Sequence, residues 1–168
     1  MTTTSTLTGR AAARDTLYNW LETGNIQNLN QFLYSFPKYI NYQVNAQPGQ
    51  DSRAAAIIFI QSETENRIAI GGAHSGWKRV DYSVILQLFM QSTHRNSMQA
   101  MSDFDLLVDA VKARLRSDHN FGDESGTLVW QGAEPVINGM YGEPFTSEEG
   151  VTEIWAELQF DITQMIKA

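Results

Sequence analysis

The chain has 168 residues, 42% of them hydrophobic and 18% charged, with no cysteine. That supplies apolar material for one core and excludes disulfide frameworks, Cys-ligated zinc, thiol catalysis and iron–sulfur clusters. Twelve Lys and Arg stand against 19 Asp and Glu, a net charge of −7, which argues against a general nucleic-acid binder and a polybasic membrane-surface protein.

Met1 to Thr8 is Thr-rich, with neither a basic nor an apolar signal region, and no apolar run approaches the ~20 residues of a membrane-spanning helix. A soluble, single α+β domain over 1–168 is expected, with a flexible N-terminus at 1–7. Leu7 to Glu22 reads as the first helix, capped by Thr8. Ala11, Ala12 and Ala13 favour it, Leu17, Trp20 and Leu21 form its apolar stripe, and Gly24 stops it. The aromatic segment Phe32, Tyr34, Phe36, Tyr39 and Tyr42 around Pro37 is expected to hold a short helix and then a strand from Tyr39 to Val44.

After the turn signal Gln47-Pro48-Gly49-Gln50, Ala54–Gln61 and Arg67–Ile70 flank a polar stretch, Glu63–Asn66, and the pair resembles a hairpin. Gly71-Gly72-Ala73-His74-Ser75-Gly76 then leads into the longest strand signal. Val80, Tyr82, Val84, Leu86, Leu88 and Met90 share one face of it. Asp81, Ser83, Ile85, Gln87, Phe89 and Gln91 share the other. The glycine spacing mimics a P-loop, but Trp77-Lys78-Arg79 follows where Lys-Ser/Thr is required, and a strand follows where a helix should hold phosphate.

Ser102 is expected to cap a second helix ending near Arg116, with Phe104, Leu107, Val108, Val111 and Leu115 as its buried stripe. Thr127 to Val136 reads as a strand and Asn138 to Gly150 as a loop rich in Gly and acid. In the last strand, Ile154, Ala156, Leu158, Phe160 and Ile162 alternate with Glu153, Trp155, Glu157, Gln159 and Asp161. The fold class is α+β: a single-layer mixed or antiparallel sheet flanked by two main helices.

Recognisable chemistry is sparse. His74, His94 and His119 have no metal-ligand spacing, Asp103-Phe104-Asp105 lacks the glycine and terminal glutamate of a calcium loop, and no Gly-x-Ser-x-Gly elbow occurs. No enzyme, cofactor or metal is expected. Charge is uneven instead. Residues 1–84 carry seven Lys/Arg and six Asp/Glu, whereas 85–168 carry five and thirteen. From Ser117 to Ile166 there are ten acids and no Lys or Arg. Two readings fit that stretch: a solvated face, or a surface that must not stick to a polyanion or that waits for a basic partner. Trp20 reads as core, whereas Trp155, Trp130 and Trp77 fall on a polar strand face or near strand ends, where a large rigid side chain often marks a protein contact.

The order of Leu7–Glu22, Ala54–Ile70, Trp77–Gln91 into Ser102–Arg116, and Val151–Ile166 resembles the tail terminator (tail completion) proteins of long-tailed bacteriophages. Gly139–Gly150 and Phe32–Tyr42 have no counterpart in that layout. The resemblance implies a structural virion protein of the tail or neck, made in the host cytoplasm. It would form a ring, typically a hexamer, that ends tail-tube polymerisation and joins tail to head. Its partners would be itself, the tail tube protein and a head–tail connector or stopper protein, with DNA passing through and no membrane. Lumen-facing acids would come from Glu143, Glu148, Glu149, Glu153 and Glu157. Subunit contacts would come from Trp77, Lys78, Arg79, Trp130 and Trp155, with Lys78-Arg79 set against the acidic loop. Another neck or tube protein of the same kind of virion, or a small monomeric binding module with the aromatic segment lining a cleft, remains an alternative.

Overall fold

A computed structural model describes residues 9–68 and 76–167. Helix α1 (Arg10–Thr23) is followed by strands β1 (Leu29–Leu33), β2 (Ser52–Arg67) and β3 (Trp77–Ser92). Helix α2 (Ser97–Arg116) then leads to β4 (Leu128–Trp130), β5 (Asn138–Tyr141), β6 (Phe145–Thr146) and β7 (Thr152–Lys167). The protein is α+β, with one seven-stranded sheet in the order β1-β2-β3-β7-β4; β5 and β6 also pair with β7. Among the described residues only β1 against β2 is parallel, and the other pairs are antiparallel.

Both helices lie on one face of this sheet, α1 against β2 and α2 against β3 and β7, and they touch each other. The strands meet them with the residues that alternation assigns to one side: Ala54, Ala56, Ile58 and Ile60, then Val80 to Met90, then Ile154 to Ile162, all buried. The helices answer with Ala13, Leu17, Tyr18 and Leu21, and with Phe104, Leu107, Val108, Val111 and Leu115. Trp20 is half-buried at the helix–helix seam. Its Nε1 donates to Arg114 O at 2.8 Å, and the Arg114 guanidinium lies 3.4 Å from the ring centroid. No described helix is long and apolar enough to cross a membrane.

Several boundaries depart from expectation for identifiable reasons. Gly9, at φ 102°, holds the cap position of α1, and its N–H donates to Gln164 Oε1 at 3.1 Å. Helix α2 starts five residues before Ser102, at Ser97, because Asn96 caps it by accepting the Met98 N–H at 2.9 Å. The aromatic segment holds neither the helix nor the Tyr39–Val44 strand. A parallel strand, Leu29–Leu33, ends within it, and turns follow.

The hairpin expected within 54–70 does not form among the described residues, which stop here at Ile68. Glu63–Asn66 continues β2, because one extra residue, Gln61, is absorbed between Ile60 and Ser62 while pairing with β3 runs on. The hairpin joins β2 to β3 instead, and the glycine-rich segment 71–75, with His74, lies outside the described residues. The strand expected over Thr127–Val136 shrinks to three residues, and two short strands lie inside what reads as the Asn138–Gly150 loop.

Candidate partner-binding face

With both helices on one side, the other face of the sheet carries the second half of each alternation. Register sets it in rows. Arg53, Gln91, Glu153 and Phe145 form one, and Ala55, Phe89 and Trp155 the next. Ile57, Gln87, Glu157 and Met140 follow, then Phe59, Ile85 and Gln159. Beyond them Ser83 faces Asp161, and Asp81 faces Thr163. Glu153, Glu157 and Asp161 stand four residues apart on β7, so strand parity alone puts all three on this face.

Neighbouring amides and a hydroxyl hold several of these acids in place. Gln87 Nε2 donates to Glu157 Oε2 at 3.1 Å and Gln91 Nε2 to Glu153 Oε1 at 3.3 Å. Thr163 Oγ1 donates to Asp81 Oδ1 at 2.6 Å, and Arg79 Nε meets the same oxygen at 2.8 Å. The segment after β1 reaches over one end of the face, with Phe36, Tyr39 and Tyr42 around Phe89 and Glu153. Burial there, reinforced by the Glu153 charge, pushes the Tyr42 hydroxyl up to about 12.

The expected site residues divide. Glu153 and Glu157 lie on the helix-free face, joined by Asp161 and Asp81. Glu143 lies between β5 and β6, and Glu148 and Glu149 lie in the turn before β7, all exposed at the sheet's edge. Trp77 is 43% exposed at the start of β3. Lys78 is engaged within the chain by Glu65 at 2.7 Å, and Arg79 by Asp81. Trp155 is 36% exposed, over Gly142, where a methyl group would come within 2.0 Å of its Nε1. Trp130 is a correction. It is 2% exposed, its Nε1 donates to Leu115 O at 3.1 Å, and its ring packs between Phe121 and Phe160, so it presents no surface.

One polar cluster escaped sequence reasoning because its members come from three elements. Asp103 Oδ2 accepts Ser52 Oγ at 2.6 Å and meets His94 Nε2 at 3.1 Å, while Oδ1 accepts Gln99 Nε2 at 2.9 Å. Burial alone would raise the Asp103 carboxyl. The Ser52 and Gln99 donors and the adjacent His94 ring outweigh it and hold the group below its ordinary value. Ser52 Oγ donates its hydrogen bond to the carboxylate and not to the ring, and it is buried, so this is not a serine–histidine relay. It ties the first residues of β2, the end of β3 and α2 together. Among the described residues, no three His, Asp or Glu groups assemble to hold a metal.

The aromatic segment and its neighbours line open grooves of about 290 to 490 Å³. No family model matches this chain, and no curated protein does. Among solved structures that are similar is a chain described as the virion of native gene transfer agent (GTA) particle, at 8% identity and a TM-score of 0.31. The alignment covers 89% of this chain and 93% of that one, and a likeness at that score fixes neither fold nor role.

Proposed function

We propose that this chain is a structural virion protein of a long-tailed phage rather than an enzyme. In this reading it forms a ring, a hexamer in the simplest case, at the head-proximal end of the tail tube. There it ends tube polymerisation, contacts the tube protein on one side and the head–tail connector on the other, and lets DNA pass. One observation carries the reading: a helix-free sheet face on which the acids Glu153, Glu157 and Asp161 share β7 with the exposed Trp155, next to Phe89 in the same row and to Phe59 two rows on, both partly exposed. Solvent tolerates an open antiparallel face. The aromatic side chains favour cover by protein, and the carboxylates favour a passage through which a polyphosphate slides without the counterion release that would make it stick.

Light scattering of the purified protein, with negative-stain images of any large species, tests this directly. A discrete ring, or a monomer that becomes a ring on tube ends and arrests their growth, is the expected result. Long tubes would reassign the chain as a tube subunit. A monomer that leaves tube growth untouched would overturn the proposal.

A further inference from the structure

The two lateral edges of the sheet differ in chemistry. Past Leu33, β1 no longer covers β2, and a groove of about 290 Å³ opens between the start of α1 and the residues after β1. Arg10 and Arg14 line one side, Tyr34 and Phe36 the other, and Ile57–Ile60, including Phe59, the floor. Strand addition is blocked there. The Ile58 N–H donates to the Tyr18 hydroxyl at 2.8 Å, and the Ile60 carbonyl accepts Arg10 Nη2 at 2.7 Å.

What the groove offers is therefore side chains. Tyr34 and Phe36 are each 60% exposed. Arg10 keeps further N–H donors, and among the described residues no carboxylate pairs with it. Arg14 stacks 5.3 Å from the Tyr34 centroid and meets only its neighbour Asp15, at 3.2 Å in an exposed, weak pair.

The opposite edge is the chemical complement. Phe145 on β6 is 65% exposed and lies between Glu143 and the pair Glu148 and Glu149, in a stretch without a Lys or Arg from Ser117 to Ile166. We infer that the groove takes Phe145 of a second copy of this chain, with Glu143, Glu148 and Glu149 of that copy set against Arg10 and Arg14. The volume lies at the bottom of the ~300–1,000 Å³ range of small-molecule sites and suits one large side chain. An apolar anchor seated in a pocket within a polar rim is the usual make-up of a protein interface. Because groove and knob sit on opposite edges of one sheet, every copy carries one of each. The contact repeats head to tail, the heterologous geometry that gives a ring where its rotation closes. The inference rests on the ring reading and divides the acids: Glu143, Glu148 and Glu149 serve the subunit contact, and Glu153 and Glu157 remain for the passage.

The absence of native cysteine makes the contact testable by cross-linking. A chain carrying Ser35→Cys and Pro144→Cys together should give, on oxidation, a ladder of covalent multimers, and each single variant at most dimers. Arg10→Glu with Arg14→Glu should abolish species larger than monomer. Adding Glu143→Lys, Glu148→Lys and Glu149→Lys to that chain should restore them, which a misfolded variant could not do. A wild-type ring that persists in the arginine variant and gives no ladder overturns the contact and leaves the ring reading standing. A ladder from a protein that neither forms rings nor arrests tubes keeps the contact and sinks the ring. Arginine variants that keep their mass but no longer arrest tubes would assign the groove to the tube protein, which also overturns the inference.

Discussion

Two tyrosines, Tyr82 buried and Tyr42 half-buried, make the fold sensitive to alkali. Burial, with the charges of Glu63 and Glu65 adding to it and Arg10 opposing, pushes the Tyr82 hydroxyl up to about 12. Tyr42 reaches about 12 through burial and Glu153. In the unfolded chain both ionise near the ordinary ~10. A folded pKa above the unfolded one means that the neutral form is favoured by folding. The stabilisation is complete below pH ~10 and is lost as pH rises towards about 12. The urea midpoint should therefore hold steady up to pH ~10 and fall above it, and the fall should shrink in Tyr82→Phe and again when Tyr42→Phe is added. A midpoint as steep in the double variant as in the wild type would assign the alkaline loss to other groups. Tyr18, also raised by burial, works differently. It accepts from Ile58 and donates to the Leu33 carbonyl, so its hydroxyl continues the β1–β2 ladder where β1 ends.

At the scale of elements, the feature that controls β2 is one surplus residue. Ile60 pairs with Val84 and Ser62 with Ser83, leaving Gln61 unopposed. Before the bulge, Ile58 and Ile60 face the helices; after it, Glu63 and Glu65 share the rows of Tyr82 and Val80. Deleting Gln61 preserves every one of these pairs and loses only the long 3.4 Å contact from Gln159. Deleting Ile58 lets the bulge absorb the slip but places Phe59 and Gln61 where Ile58 and Ile60 pack. The first deletion should change stability by less than about 1 kcal/mol. The second should cost several, roughly the price of a buried amide and a misfitted core. Urea unfolding followed by circular dichroism measures both, and equal losses would show that the bulge does not set the register. The same bulge explains why β2 was hard to read: its alternation changes phase at Gln61, and the polar run after it imitates a turn. Helix α2 and strand β7 were legible because a single apolar face decides each. The strands β5 and β6 were not, since Gly, Pro and Glu composition signals a loop and only distant β7 makes them strands. Trp130 misled for a related reason, because pattern alone does not separate an aromatic at a strand end that packs inward from one that faces out.

Over the whole molecule, the helix-free face turns an overall charge into a directional one. Much of the surplus acid of the C-terminal half lies at the sheet's outer edge or in the β7 column, so the two uses separate by position. Glu157 bonds to Gln87 and Glu153 to Gln91 within the sheet, so the column stands inboard of the edge strands β5 and β6 with which it pairs. Changing them should leave assembly intact, which makes them a clean probe of the passage. Replacing Glu153, Glu157 and Asp161 with Gln, Gln and Asn removes the repulsion, and replacing all three with Lys inverts it. Duplex DNA presents one phosphate per ~1.7 Å of axis, so cations released from it would drive retention by the lysine variant with a steep salt dependence. Rings of the lysine variant should hold DNA at low salt and release it as salt rises, and particles carrying them should eject more slowly than wild type. The neutral variant should lie between the two. Lysine rings of unchanged mass that neither retain DNA nor slow ejection would mean that this face does not line the passage, and its aromatic side chains would then mark a surface buried against the tube or the connector.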